Sequence, residues 1–144
     1  MDYWTLESNV ADVLALGPRT AGRLLRLGVR SAGNLLAAKP HEIAERLKDS
    51  RFSAETVAEW QREARLLIEA PELPSDAARL LAAAEYSAAE RVARATPTEL
   101  LAALERLSED PNRSGWVAQQ AKPDVIEVNT WIRCAQHSLA ARAA

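Results

Sequence analysis

A sharp turn between predicted helices, within residues 13–36, constrains the fold of this chain more than any other segment. Gly17 and Pro18 follow the apolar Leu16, a combination that favours a turn into a new helix. We expect Gly17 to adopt a positive φ, and Pro18 suits the first position of a helix because the N–H group it lacks would have no partner there. Gly28 then predicts the end of this helix. The segment therefore predicts short helices joined by tight turns.

The same segment combines a helix amino terminus with arginines. The first N–H groups of a helix have no partners within it and carry the positive end of its dipole, so they can bind an anion. No acidic residue lies between Val13 and His41. The alternative interpretation is a turn that only the fold needs, with arginines on a solvated helix face. We predict phosphate contacts from Leu16, Gly17, Arg19, Thr20, Arg23 and Arg26, whose three arginines share one helix face.

The composition favours an all-α protein. Hydrophobic residues make up 48% of the 144 residues, but aromatic residues make up only 5%, and the chain is rich in alanine, leucine, arginine and glutamate. This length fits one domain or two very small ones. The net charge of −2 argues against a dedicated non-specific nucleic-acid-binding protein, which is usually basic.

An internal repeat organises the chain. Pro40 and Pro97, at an offset of 57, each stand two residues before a glutamate, and both predict helix starts. Trp60 and Trp131 match at a larger offset of 71. The difference between the two offsets predicts an insertion in the second copy, near residues 108–121.

The two copies differ at their first turn. We expect the first unit over residues 1–70 and the second over 71–144, packed together because the junction between them is short. The second copy has Leu73-Pro74-Ser75-Asp76 where the first has Leu16-Gly17-Pro18-Arg19. Asp76 at a helix start would cap the helix and repel phosphate. The second unit is therefore predicted to be degenerate and structural.

The amino-terminal turn resembles the helix-hairpin-helix motif, in which a glycine-rich hairpin grips a nucleic-acid phosphate through backbone N–H groups. The hairpin triplet here is Ala15-Leu16-Gly17, with alanine at the first glycine position. Over about residues 8–138 the chain resembles the bacterial family described as domain of unknown function 4332, which carries tandem helix-hairpin-helix repeats. This resemblance implies an all-α fold of two pseudo-repeated helix-hairpin-helix (SAM-like) units packed into one compact helical domain. It rests on Leu16-Gly17-Pro18, Gly28-Val29, Pro40-His41-Glu42-Ile43, the Trp60-to-Ala64 helix and Trp131-Ile132-Arg133-Cys134-Ala135.

The four tryptophans fall into two groups. Trp60 and Trp131 lie on apolar helical stripes and are predicted to anchor the core. Trp4 lies in a weakly patterned amino-terminal segment, and Trp116 lies in a turn-rich stretch of the insertion. These last two are candidate partner contacts, or they hold their loops against the domain.

No residue pattern indicates catalysis or a metal site. His41 and His137 are far apart in the sequence, and Cys134, the only cysteine, has no activating partner except His137, which we interpret as incidental. No phosphate-binding loop or dinucleotide fingerprint is present. We therefore expect no enzyme, no cofactor and no small-molecule substrate. Because the chain has no membrane-length apolar run, no secretory signal and no possible internal disulfide, we expect a cytoplasmic protein without membrane contact.

Two functions remain. The resemblance implies a non-catalytic module that contacts DNA or RNA phosphates without sequence specificity through the first hairpin. The alternative is a protein-interaction, scaffolding or adaptor module that binds another protein or a larger assembly and no nucleic acid. A continuous basic surface around Gly17 would favour the first function. Arginines paired with Glu45, Glu55 or Glu59 would favour the second.

Overall fold

The computed structural model describes residues 3–111 and 122–143, and these residues are all-helical, as predicted. They form nine α-helices and no strand, with one isolated antiparallel bridge between Asn9 and Ser31. In chain order the helices are α1 (Val10–Val13), α2 (Pro18–Arg26), α3 (Ala32–Ala37), α4 (Pro40–Leu47), α5 (Ala54–Glu69), α6 (Ser75–Ala83), α7 (Ala89–Arg94), α8 (Pro97–Glu109) and α9 (Val125–Ala143).

Helix starts follow local sequence rules. Pro18, Pro40 and Pro97 each occupy the first position of a helix, where the N–H group that proline lacks would have no intrahelical partner. Ser53 caps α5, because its hydroxyl accepts a hydrogen bond from the N–H group of Thr56 at 3.2 Å. The predicted helix starts at Pro40 and Pro97 are therefore confirmed.

The turn before α2 differs from its prediction. Gly17 has a φ of −65°, which any residue can adopt, whereas Ala15 has a φ of +52° in the left-handed region. The prediction of a positive φ at Gly17 is therefore wrong. The chain reverses two residues earlier because the N–H group of Leu16 donates to the carbonyl of Ala11 at 3.0 Å, the bond that closes a Schellman motif at the end of α1.

The left-handed Ala15 gives a test of this turn. Ala15→Gly is expected to raise the free energy of unfolding by about 0.5 kcal/mol, because relief of about 1–2 kcal/mol of left-handed strain exceeds the added entropy of the unfolded chain. Urea denaturation measures the difference. The control Ala102→Gly, in the middle of α8, should lower the same quantity by about 0.5–1 kcal/mol. Equal losses from both substitutions would contradict a left-handed Ala15.

Leucines and one tryptophan dominate the core. Trp131 on α9 is 5% exposed, which confirms it as a core anchor, whereas Trp60 on α5 is only half-buried and packs against the core and the ring of Phe52. Helix α5 packs against α4 and α6, and α9 packs against α7 and α8. The wholly buried leucines are Leu24, Leu35, Leu66, Leu67, Leu81 and Leu100.

Side chains of α5 also satisfy the ends of three other helices. Gln61 donates to a carbonyl at the end of α3 at 2.8 Å, and Arg62 donates to a carbonyl in the last turn of α6 at 2.8 Å. The carboxylate of Glu69 accepts from the N–H group of Ala89 at the start of α7, at 2.9 Å. Because these helix ends cannot satisfy their own backbone groups, α5 holds helices from both halves of the described chain.

Candidate nucleic-acid interface

The amino terminus of α2 presents backbone donors at the surface. Gly17 is the N-cap, Pro18 is the first helical residue, and no side chain caps this helix. The N–H group of Ala21 donates to the Gly17 carbonyl at 3.0 Å. The N–H groups of Gly17, Arg19 and Thr20 form no hydrogen bond with any residue that the structure describes. Three donors therefore lie together at the positive end of the helix dipole, where an anion could accept from them.

Gly17 keeps this terminus unobstructed. A Cβ atom built on Gly17 would meet nothing within 4 Å, and its φ of −65° suits any residue. The fold therefore does not need glycine at this position. The absence of a side chain instead lets a ligand approach the neighbouring N–H groups closely.

Two free arginines flank the open terminus. Arg19 and Arg26 are exposed, and neither forms an ion pair within residues 3–111 and 122–143. With Pro18, Gly22 and Arg23 they line a shallow depression on α2. Positive charge therefore stands next to the backbone donors, as binding to a phosphate requires.

Arg23, a predicted phosphate contact, is held by the protein itself. Its Nη1 donates to Oδ2 of Asp49 at 2.9 Å, its Nη2 donates to the carbonyl of Leu47, and its side chain is 26% exposed. The acid that pairs with Arg23 is thus Asp49, which is not one of the three glutamates considered above; of those, Glu55 pairs with Arg62 at 2.7 Å. Hydrogen bonds from Arg51 and Arg23 hold the pKa of Asp49 well below its usual range. Arg23 therefore ties α2 to the segment after α4.

This tie brings further cations beside α2. Lys48 follows Leu47 directly and is exposed, and the exposed Arg51 shares Asp49 with Arg23. Neither residue was expected in the site, because more than 20 residues separate them from Arg23 and no local pattern links them. Lys48 and Arg51 therefore add positive charge near the arginines of α2. Acids, in turn, line a cleft that Leu16 and Arg51 also line, namely Glu55, Glu59, Glu63 and Asp110.

The remaining predicted contacts lie partly against the core, at the open terminus or outside the described chain. The side chain of Leu16 packs against the core, and its N–H group donates to the carbonyl of Ala11, so neither group is available to a ligand. Thr20 is half-buried at the open terminus. Trp4 is half-buried against the core, and Trp116 lies outside the described residues, as does most of the predicted insertion.

The start of α6 has the opposite character. Asp76 stands 57 residues after Arg19, and its Oδ1 accepts from the N–H group of Ala77 at 3.0 Å. A donor that is open in α2 is therefore satisfied in α6 by a carboxylate of the same helix. That carboxylate also adds negative charge where α2 has positive charge, so phosphate would be repelled.

A cleft of about 760 Å³ contains a buried acid. Glu63 is 6% exposed, and burial raises its pKa to about 7, although Arg79 lies 3.7 Å away and opposes the shift. Trp60 and Leu16 also line this cleft. The cleft lies between Leu16 and α6, and Arg79 is the cation next to its buried acid, Glu63.

Three further findings bear on chemistry. Burial, with the nearby charge of Glu72, raises the pKa of Cys134, which makes its thiol less nucleophilic. In the described ranges, no three histidine, cysteine, aspartate or glutamate side chains are grouped to hold a metal ion. None of the helices described is both long enough and apolar enough to span a bilayer.

Comparison with known proteins identifies the family. No curated protein and no solved structure matches the chain. The model of one family, described as Domain of unknown function (DUF4332), matches residues 14–138, and this range includes the open terminus of α2 and the first part of α9. Since the match covers most of the 144 residues, the chain belongs to the family of domain of unknown function 4332.

Proposed function

We propose that this protein binds the phosphate backbone of nucleic acid, without sequence specificity and without catalysis, through the open terminus of α2. The observation that carries the proposal is the group of N–H donors at Gly17, Arg19 and Thr20, which have no partner among residues 3–111 and 122–143. Beside them lie the guanidinium groups of Arg19 and Arg26, which form no ion pair within the same residues. Backbone donors and arginines both suit phosphate oxygens. Contacts of this kind position a nucleic acid but do not read its bases.

The proposal includes two pseudo-repeated helix-hairpin-helix units. Its support is the spacing of the helices: α2, α3 and α4 begin 57 residues before α6, α7 and α8, and α5 begins 71 residues before α9. Gly28 and Glu85, also 57 residues apart, both have a positive φ after α2 and α6. On this basis the first unit binds phosphate, and the second, whose first turn carries Asp76, serves as scaffold.

The net charge of −2 does not exclude such a function, because no acidic residue lies between Val13 and His41, the segment that contains α2. Few phosphates can be contacted at once, so we expect weak and salt-dependent binding. With about three phosphates neutralised, the affinity should fall about 40-fold between about 50 and 200 mM salt.

The direct test is a fluorescence-anisotropy titration of labelled duplex and single-stranded DNA and RNA at low and moderate salt. Arg19→Glu with Arg26→Glu should weaken binding at least about tenfold, because two phosphate contacts become repulsive. The matched control is Arg106→Glu with Arg133→Glu, which changes the net charge equally at exposed sites on α8 and α9. The control should retain most of the affinity. Equal losses in both double variants, or no binding at low salt, would contradict the proposal and favour a protein-interaction module.

Gly17→Ala separates the backbone contact from charge. This substitution should lower the free energy of unfolding by no more than about 1 kcal/mol: the Cβ atom meets nothing within 4 Å and the φ is ordinary, but alanine is a poorer N-cap residue than glycine. The added methyl group should nevertheless weaken nucleic-acid binding by about fivefold or more, since it obstructs a phosphate at the N–H groups (about 1 kcal/mol or more). Anisotropy and urea denaturation on the same sample measure both effects. Unaltered affinity would show that these N–H groups do not contact the nucleic acid.

A further inference from the structure

A second surface beside α2 is apolar rather than phosphate-binding. A groove of about 430 Å³ lies where α1, α2 and the chain after α2 meet. Its lining includes Val10, Ala21, Val29 and Leu25, and Leu25 is 57% exposed. Arg30 lies at the same groove, is exposed, and forms no ion pair within the described ranges. We call this surface the α1–α2 groove; it has an apolar floor and one free positive charge.

The start of α9 has the complementary character. Val125 and Ile126 are 54% and 73% exposed. Together with Leu25 they are the most exposed large apolar side chains in the described helices. Asp124 and Glu127 flank them and are both exposed. Oδ1 of Asp124 accepts from the N–H group of Glu127 at 2.8 Å, which fixes this first turn. We call these four residues, Asp124–Glu127, the α9 knob; it is an apolar projection with negative charge on either side.

We propose that copies of this chain associate head to tail, with the α9 knob of one molecule seated in the α1–α2 groove of the next. Ile126 and Val125 would bury apolar surface against Leu25, and the acids of the knob would lie at Arg30. Each surface thus offers the other an apolar partner and a charge of opposite sign. A second copy is the occupant that this complementarity favours, because the chain itself carries both halves.

The geometry of this contact predicts how it behaves. The groove and the knob are different surfaces, so the contact is heterologous and can extend into chains or close into a ring. The surfaces are small compared with those of stable complexes, which bury about 1,200–2,000 Å², so association should be weak and concentration-dependent. Arg19 and the open terminus of α2 take no part. The proposal therefore does not depend on nucleic-acid binding.

Sedimentation velocity over a concentration series, without nucleic acid, tests the proposal. The wild-type chain should show a rising weight-average sedimentation coefficient. Leu25→Gln disables the groove and leaves the knob, whereas Ile126→Gln disables the knob and leaves the groove. Both sites are exposed, so the fold should persist, and circular dichroism checks this. Each variant alone should associate at least about tenfold more weakly than the wild type.

An equimolar mixture of the two variants is decisive. The intact knob of Leu25→Gln should dock in the intact groove of Ile126→Gln, which restores association but stops it at a heterodimer. A variant pair that remains monomeric when mixed would overturn the proposal. So would a wild-type chain that remains monomeric up to about 1 mM.

Discussion

Trp131→Ala is expected to lower the free energy of unfolding by about 3–5 kcal/mol, a large part of the total stability of a chain of this size. Trp131 is 5% exposed and lies on α9, which packs against α7 and α8. Removing the indole forfeits its apolar burial and leaves a cavity that the surrounding helices can fill only in part. Urea denaturation followed by far-ultraviolet circular dichroism measures the loss without depending on tryptophan fluorescence.

Trp60→Ala is the matched comparison. Trp60 is only half-buried and packs at a tilted angle against the ring of Phe52, with 5.3 Å between ring centroids, so its removal should cost about 1–3 kcal/mol. If Trp131→Ala cost no more than Trp60→Ala, the packing of α9 described above would be wrong.

Glu63→Gln is expected to stabilise the protein at neutral and higher pH and to flatten the dependence of its stability on pH. Burial raises the pKa of Glu63 to about 7 from an ordinary value of 4.5, so the folded chain holds this proton more tightly than the unfolded chain. The stability associated with this proton is fully present below about pH 4.5 and is lost as the pH rises through about 7. The difference between the two pKa values corresponds to about 3 kcal/mol.

Urea denaturation between about pH 5 and pH 8 measures this effect. Arg51 and Arg23 hold the pKa of Asp49 low, so Asp49 keeps its stabilising charge throughout this pH range. The wild-type free energy of unfolding should fall towards pH 8, and that of Glu63→Gln should fall less. Glu105→Gln, an exposed site on α8, is the control and should follow the wild type. Parallel curves for wild type and Glu63→Gln would contradict a buried acid at this position.

Local chemistry explains which parts of the fold the sequence predicts. Pro18, Pro40 and Pro97 begin helices because proline lacks the N–H group that has no partner there, and this depends on one residue and its neighbours. Trp131 is buried because it lies on an apolar stripe. Ala15 shows the limit: the turn has the expected place, but its left-handed residue is set by the hydrogen bond from Leu16 to Ala11.

The candidate site depends more on contacts between distant segments. Arg23 has the spacing of a phosphate-contacting arginine, yet its pairing with Asp49, 26 residues away, arises only when the segment after α4 folds beside α2. The carbonyl of Leu47, the neighbour of Lys48, accepts from Arg23 in the same arrangement. Glu63 lies on an ordinary amphipathic helix, and only the packing of α6 against α5 buries it. Sequence patterns indicate which side chains share a helix face, but they do not show which of them a second helix will cover.

Backbone amide chemical shifts during a titration with a short DNA duplex test the central claim most directly. The N–H groups of Gly17, Arg19 and Thr20 should shift together and saturate with the same dissociation constant, because they are the open donors of α2. Those of Asp76 and Ala77 at the start of α6 should stay in place, since a carboxylate already occupies that terminus. Shifts that spare α2, or that are equal at α2 and α6, would contradict the proposed phosphate binding at the start of α2.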